Sequence, residues 1–185
     1  MSLRIRSKTN SGIGWLCYGR RGSNLDPSPA CVSLTKTFEG YKDTAYPDPG
    51  TGAEPWTIGY GHTAGVTEGM TCTQEQAECW LAEDLANAAY FVRKYVTVPL
   101  NQNQFDSLTD FVFNLGPGEP GEKDGFVWLK SGQPSTMLRF LNAGDCTGAA
   151  MEFPKWNLPP LPGIIRRRAT EQALFLRDDN LEPVT

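Results

Sequence analysis

Long apolar runs are missing from this 185-residue chain. No stretch approaches the roughly 20 consecutive apolar residues that a membrane-crossing helix needs, and the basic N-terminus has no apolar core ahead of a cleavage site. The expectation is a protein that neither spans a membrane nor exports itself. Histidine is nearly absent, with a single copy at position 62. The five cysteines form no CxxC pair and no Cys/His spacing suited to zinc, and the carboxylate chemistry read below needs no metal or other cofactor. No internal repeat is visible. Acidic residues are missing from positions 1–25, where Arg4, Arg6, Lys8, Arg20 and Arg21 give +5, so that of the net charge of −4 the remainder carries −9. Residues 1–27 therefore read as a basic arm, either a contact for an anionic surface such as cell wall or a loosely packed leader, ahead of one domain over 28–185.

What remains is enough for one real core. The 19 glycines and 14 prolines cluster between apolar segments, which argues for a folded chain with long loops. Ser28 and Pro29 give a helix start, and Cys31, Leu34 and Phe38 recur at helical spacing before Glu39-Gly40, a helix end. Thr44–Tyr46 and Trp56–Tyr60 read as a small antiparallel sheet separated by turn residues. Thr73 and Gln76 form a capping box for a helix to about Tyr95, with Ala77, Trp80, Leu81, Leu85, Ala88 and Val92 as its apolar stripe. Asn101 and Gln104 repeat the signal for a third helix through Phe105, Leu108, Val112 and Leu115, ended by Gly116. Ser135 caps a fourth, Asp145 starts a fifth that Pro154 is expected to stop, and Ile164–Phe175 gives the last. Between them, 117–134 carries Phe126, Val127 and Trp128, which serve either as a sugar-stacking cluster or as a plug over the core. Among the cysteines, Cys72 and Cys79 are the pair expected to bridge if any pair does, with free buried thiols as the alternative.

Two carboxyl groups stand out. Glu39 falls on the last helical turn, where partial negative charge favours the protonated carboxyl that a general acid starts from. Nine residues on, Asp48 lies among Pro47, Pro49, Gly50 and Gly52, a wet turn that favours the carboxylate. Two carboxyls in contrasting surroundings can divide acid and base work, as in cleavage of a glycosidic bond.

The ordered set Glu39-Gly40, Asp48 and Trp56-Thr57-Ile58-Gly59-Tyr60-Gly61-His62 resembles the phage-type lysozymes, the muramidase endolysins of tailed phages. Phe113-Asn114-Leu115-Gly116, the stretch from Ser135 to Asp145, and Trp156 followed by Arg167, Arg168 and Glu171 extend the likeness over residues 28–177. The resemblance implies an α+β, lysozyme-like fold, with a mainly helical lobe, a small β-hairpin lobe and the cleft between them. It implies Glu39 as acid, Asp48 as the group that activates water and Thr57 as the third catalytic member. In this chain the loop between Asp48 and Thr57 is longer than the family's, and Glu54 within it is a second candidate for the Asp48 role. Tyr60, Gly61 and Asn114 are implied substrate contacts, although an Asn near a helix end can equally cap its own backbone. Arg167, Arg168 and Glu171 read as structural, through intrahelical pairs. His62 is expected to pair with Asp84 and clamp the hairpin to the long helix.

The function so implied is hydrolysis of the β-1,4 bond between N-acetylmuramic acid and N-acetylglucosamine, probing no nucleic acid and causing host lysis, by an inverting, monomeric enzyme. Its partner is the peptidoglycan strand, and a holin pore would release it from the host cytoplasm. A lytic transglycosylase, a catalytically weak wall-binding module and a membrane-disrupting protein are the rivals.

Overall fold

The computed structural model describes residues 25–47 and 52–178. Most of the basic arm (1–24), Asp48 with the three residues after it, and 179–185 lie outside the described residues. Helix α1 (Pro29–Glu39) is capped by the Ser28 hydroxyl, which accepts from the Ala30 N–H at 3.1 Å. The Ser28 N–H donates to Asp106 at 3.0 Å, so the cap also ties α1 to the third helix. Its fully buried residues are Cys31 and Thr35. Leu34 and Phe38, expected on that face, are only half-buried, because the inner side of α1 meets the polar flank of another helix instead of an apolar one.

Strands β1 (Lys42–Pro47) and β2 (Trp56–Gly59) pair antiparallel, with Tyr46 opposite Thr57 and an irregularity between Lys42 and Tyr46. The chain before the next helix returns to β1, with Ala45 N–H donating to Met70 O at 2.8 Å and Cys72 N–H to Asp43 O at 2.9 Å. Ala45, Ile58 and Val66 form this lobe's own small core, closed by Trp56, Met70 and Trp80.

Helix α2 (Gln74–Tyr95) begins with the Thr73/Gln76 capping box, both reciprocal bonds being present. Its first half packs under the hairpin through Ala77, Leu81 and Leu85, and its second half enters the helical lobe through Ala88, Ala89 and Val92. The long helix thus joins the two lobes. Helix α3 (Gln102–Leu115), opened by the Asn101/Gln104 box, is the centre of the helical lobe and contacts α1 and α2. All of its residues from Gln104 to Val112 are buried, the polar Asp106, Ser107, Thr109 and Asp110 included. A one-sided apolar stripe is the wrong description of a helix enclosed on every side.

Residues 117–134 form the plug and not an exposed sugar platform. Phe126 and Val127 are buried in the main core, each worth about 1.5–3 kcal/mol on the usual scale for a buried apolar side chain, and Trp128 stacks edge-on against Tyr95. The backbone closes the plug: Phe126 N–H donates to Gly116 O at 3.1 Å and Val127 N–H to Pro117 O at 2.8 Å. Gly118 admits no side chain, since a Cβ there would lie 2.1 Å from Trp128 O.

Helices α4 (Thr136–Asn142) and α5 (Cys146–Ala150) follow. Pro154 does not stop α5, which ends at Ala150; it instead opens a 3-10 helix over Phe153–Trp156, where its missing N–H costs nothing. Helix α6 (Pro162–Phe175) packs on α3 and begins two residues earlier than the sequence pattern indicated. The Cys72–Cys79 bridge is absent, since both are free thiols. Cys79 is exposed on the rigid second turn of α2, while the Cys72 thiol is directed at Lys42 O, and a helix cannot fold back to join them. Cys146 takes part in a disulfide. Among the described residues, no helix is long and apolar enough to cross a membrane.

Candidate active site

Glu39 is the last residue of α1, where Gly40 turns the chain away and its N–H caps Lys36 O at 3.0 Å. The carboxylate stands on the wall of a cavity of about 350 Å³ between the lobes, lined also by Gly61, Asp84, Asn87, Phe113 and Asn114. Its floor continues into Gly116 and Pro117, the first residues of the plug loop. Gly61 belongs where the hairpin comes closest to Glu39: a Cβ at this position would sit 3.0 Å from Glu39 Oε2, and its φ is +89°. Only a residue without a side chain allows that approach.

The other carboxylate oxygen is occupied. Arg167 of α6 donates from Nη1 to Glu39 Oε1 at 2.5 Å, and its remaining nitrogens form a fork on Asp110 of α3, at 3.0 Å from Nε and 2.9 Å from Nη2. Thr35, one turn before Glu39 on α1, donates to the same Asp110 at 2.7 Å. Arg167 is 3 % exposed and Asp110 0 %, so these charges are desolvated and their pairing is obligatory. Burial works against the Arg167 charge, but Asp110 and then Glu39 outweigh it and hold the guanidinium firmly protonated. Phe38 and Phe113 lie beneath the same guanidinium, at 5.5 and 5.9 Å. Arg167 is therefore part of the site, whereas the sequence reading confined it to intrahelical pairing; its i,i+4 approach to Glu171 is the longer one, at 3.4 Å.

Arg168 makes the intrahelical pair with Glu171. It meets both Glu171 oxygens at 2.6 Å and donates to Trp156 O at 3.1 Å. Burial pushes the Glu171 carboxyl up to about 8 against the pull of Arg168. Asn114 lines the cavity but its Oδ1 accepts from Arg168 Nη2, so it neither caps its own helix nor presents that oxygen to a ligand. The amide nitrogen is the group left for one.

Thr57 is half-buried on β2 opposite Tyr46. Burial, and next the charge of Glu39, push the Tyr46 phenol up, while a hydrogen bond with Thr57 pulls it the other way. Tyr46 thus neighbours both Glu39 and Thr57, and sequence reasoning did not single it out. Tyr60 is not on the cavity wall. It is 8 % exposed, packs with Cys31, Ala77 and Leu81 and lies under the Lys36 ammonium at 5.0 Å, so its place is in the packing and not among the substrate contacts. Glu54 is exposed and lines a separate depression with Pro55, Trp56, Thr63 and Val66. That depression shares only Thr63 with the main cavity. Asp48 lies outside the described residues.

His62 Nδ1 is 2.8 Å from Asp84 Oδ2, Nε2 is 3.0 Å from Ala64 O, and the ring stacks on Trp80 at 5.0 Å with planes 9° apart. These contacts join the hairpin end to α2 at the wall of the cavity, which Asp84 and Ala64 also line.

The fold and this wall of charged residues define a class that sequence comparison resolves. The phage lysozyme family profile matches residues 36–171, and the chain belongs to that family. It is 40 % identical over 149 residues to the endolysin of Acyrthosiphon pisum secondary endosymbiont phage 1, covering 77 % of this chain and 92 % of the relative. It is 38 % identical over 152 residues to the endolysin of Bacillus phage PZA, covering 80 % of this chain but only 54 % of that protein's length. Among solved structures, the muramidase domain of SpmX from Asticaccaulis excentricus superposes with a TM-score of 0.68 at 36 % identity, covering 84 % of this chain and all of that one.

Proposed function

We propose that this protein is a peptidoglycan-lysing endolysin, a lysozyme-type glycosidase that hydrolyses the β-1,4 bond between N-acetylmuramic acid and N-acetylglucosamine. The observation that carries this reading is Glu39 on the cavity wall, one oxygen fixed by Arg167 and the other beside Gly61. In this mechanism Glu39 protonates the leaving glycosidic oxygen. Asp48, assisted by the Thr57 hydroxyl, directs water to the opposite face of the sugar, which inverts the anomeric carbon. Asn87 and the Asn114 amide supply hydrogen bonds along the cavity, and Phe91 and Phe113 supply apolar surface. The enzyme acts as a monomer on glycan strands and reaches them from the host cytoplasm through a holin pore.

The test is digestion of purified peptidoglycan followed by mass spectrometry of the products. Reducing muramic acid ends support hydrolysis, and 1,6-anhydro ends reject it in favour of a lytic transglycosylase. Proton NMR of the first-formed anomer of a soluble strand separates inversion from retention. In the same assay Glu39→Gln is expected to lose about 10²- to 10⁴-fold in rate, the usual contribution of a general acid.

A further inference from the structure

An arginine pressed against the acid of a glycosidase poses a difficulty. A guanidinium 2.5 Å from Glu39 Oε1 sets a full positive charge beside the group that has to deliver a proton. The resolution lies one step deeper. Asp110 is fully buried, sits on the central helix, does not line the cavity, and spends both of its oxygens on Arg167, with Thr35 as a further donor. A carboxylate in that place does not touch substrate, and its burial is costly unless it is paired.

We propose that Asp110 is a positioning residue for the Glu39 proton: it anchors the Arg167 fork so that the guanidinium takes Oε1 and leaves Oε2 to carry the proton into the cleft, and its negative charge offsets that of Arg167. This rests on the reading of Glu39 as the acid. The pairing arrangement supports it geometrically. Arg167 uses two nitrogens on Asp110 and one on Glu39, a division that a planar fork permits and a lysine cannot copy. Three helices supply the members, with Thr35 from α1, Asp110 from α3 and Arg167 from α6.

Other charges around Glu39 do not provide this offset. Tyr46 faces it from β1 as a neutral phenol. Lys36 on the same helix is engaged with Glu78 at 2.6 Å, and Arg166 lies over Phe38 at 5.7 Å. His62 and Asp84 pair with each other at 2.8 Å. Glu171 approaches Arg167 Nε at 3.4 Å but is held by Arg168.

The experiment measures kcat and KM against pH on soluble, uncross-linked peptidoglycan strands for wild type, Asp110→Asn, Arg167→Lys and Glu39→Gln, with thermal melts as a folding control. Removing the Asp110 charge leaves Arg167 unopposed, which favours the Glu39 carboxylate. The alkaline limb of the Asp110→Asn profile is therefore expected to move to lower pH by about one unit, a roughly tenfold loss on the wild-type alkaline shoulder with activity largely kept at acid pH. Arg167→Lys keeps the charge sum and loses the fork, so kcat is expected to fall about tenfold or more with KM nearly unchanged and the limb in place. An unmoved limb in folded Asp110→Asn overturns the proposal, because a purely structural aspartate lowers activity evenly across pH. If Asp110→Asn does not fold, Arg167→Lys decides, and a wild-type kcat there overturns it. Near-normal activity in Glu39→Gln would reject the reading of the acid itself, a failure distinct from that of the Asp110 proposal.

Discussion

Gly61 and Glu39 stand so close that a single added carbon on the glycine would lie 3.0 Å from the carboxylate Oε2. The glycine keeps open, at the end of α1, the space beside this oxygen that any side chain on the hairpin would fill. Gly61→Ala therefore has two costs, a left-handed backbone at φ +89° and displacement of the acid. The expected result is a destabilisation of about 1–3 kcal/mol with a disproportionate loss of wall lysis. Urea unfolding and a turbidity assay on the same preparation measure both, and wild-type activity in a folded Gly61→Ala protein would contradict the placement of Oε2.

His62 presents each ring nitrogen to an acceptor oxygen and a flat face to Trp80. His62→Asn should cost about 1–3 kcal/mol through the lost Asp84 contact and the lost stack, while activity per folded molecule is largely kept. A melting temperature equal to wild type would show that the hairpin does not depend on this clamp.

The three free cysteines among the described residues differ in access. Cys31 is buried, and burial, followed by the charges of Asp106 and Asp110, pushes its thiol far above the ordinary range. Cys79 is exposed and Cys72 intermediate. Under native conditions a thiolate-directed alkylating reagent should modify Cys79 first, Cys72 more slowly and Cys31 only on unfolding. Peptide mapping of alkylated protein gives the order, and early labelling of Cys31 would mean that α1 opens away from α3.

Glu171 links folding to protons. Its carboxyl rises from 4.5 to about 8 on folding, so between these values the native state binds a proton that the unfolded chain has released. The stability associated with this group is present in full below about 4.5 and is lost as pH rises toward about 8. Glu171→Gln copies the protonated form. The stability difference between wild type and Glu171→Gln should shift against wild type as pH rises through that window, as followed by thermal melts at a series of pH values; a pH-independent difference would show that Arg168 keeps the carboxylate ionised throughout.

Much of the fold was legible because helix ends carry local signals. Ser28, the Thr73/Gln76 pair and the Asn101/Gln104 pair each act within their own first turn, and no tertiary information is needed to read them. The hairpin was legible for a similar reason, from alternation and turn residues. The Asp110–Arg167–Glu39 connection was not. Residues 57 and 128 positions apart meet there, and a polar residue on a periodic helix reads as solvent-facing unless the helix is known to be enclosed. Pro154 misled in the opposite sense, since a proline that ends one helix pattern is equally suited to begin the next turn. The cysteine pairing failed because sequence proximity says nothing about whether a helix holds two thiols apart.

The separation between Glu39 and Arg167 also sets an order of events during synthesis. Glu39, the hairpin and the long helix all emerge from the ribosome early, yet the Arg167 guanidinium that bonds Glu39 arrives with α6, 128 residues later. At typical elongation rates of about 5–20 residues per second, an interval of roughly ten seconds separates the two. Until α6 has emerged, Asp110 on α3 and Glu39 on α1 both lack the guanidinium that bonds them. The buried fork thus closes late, when α6 packs on α3.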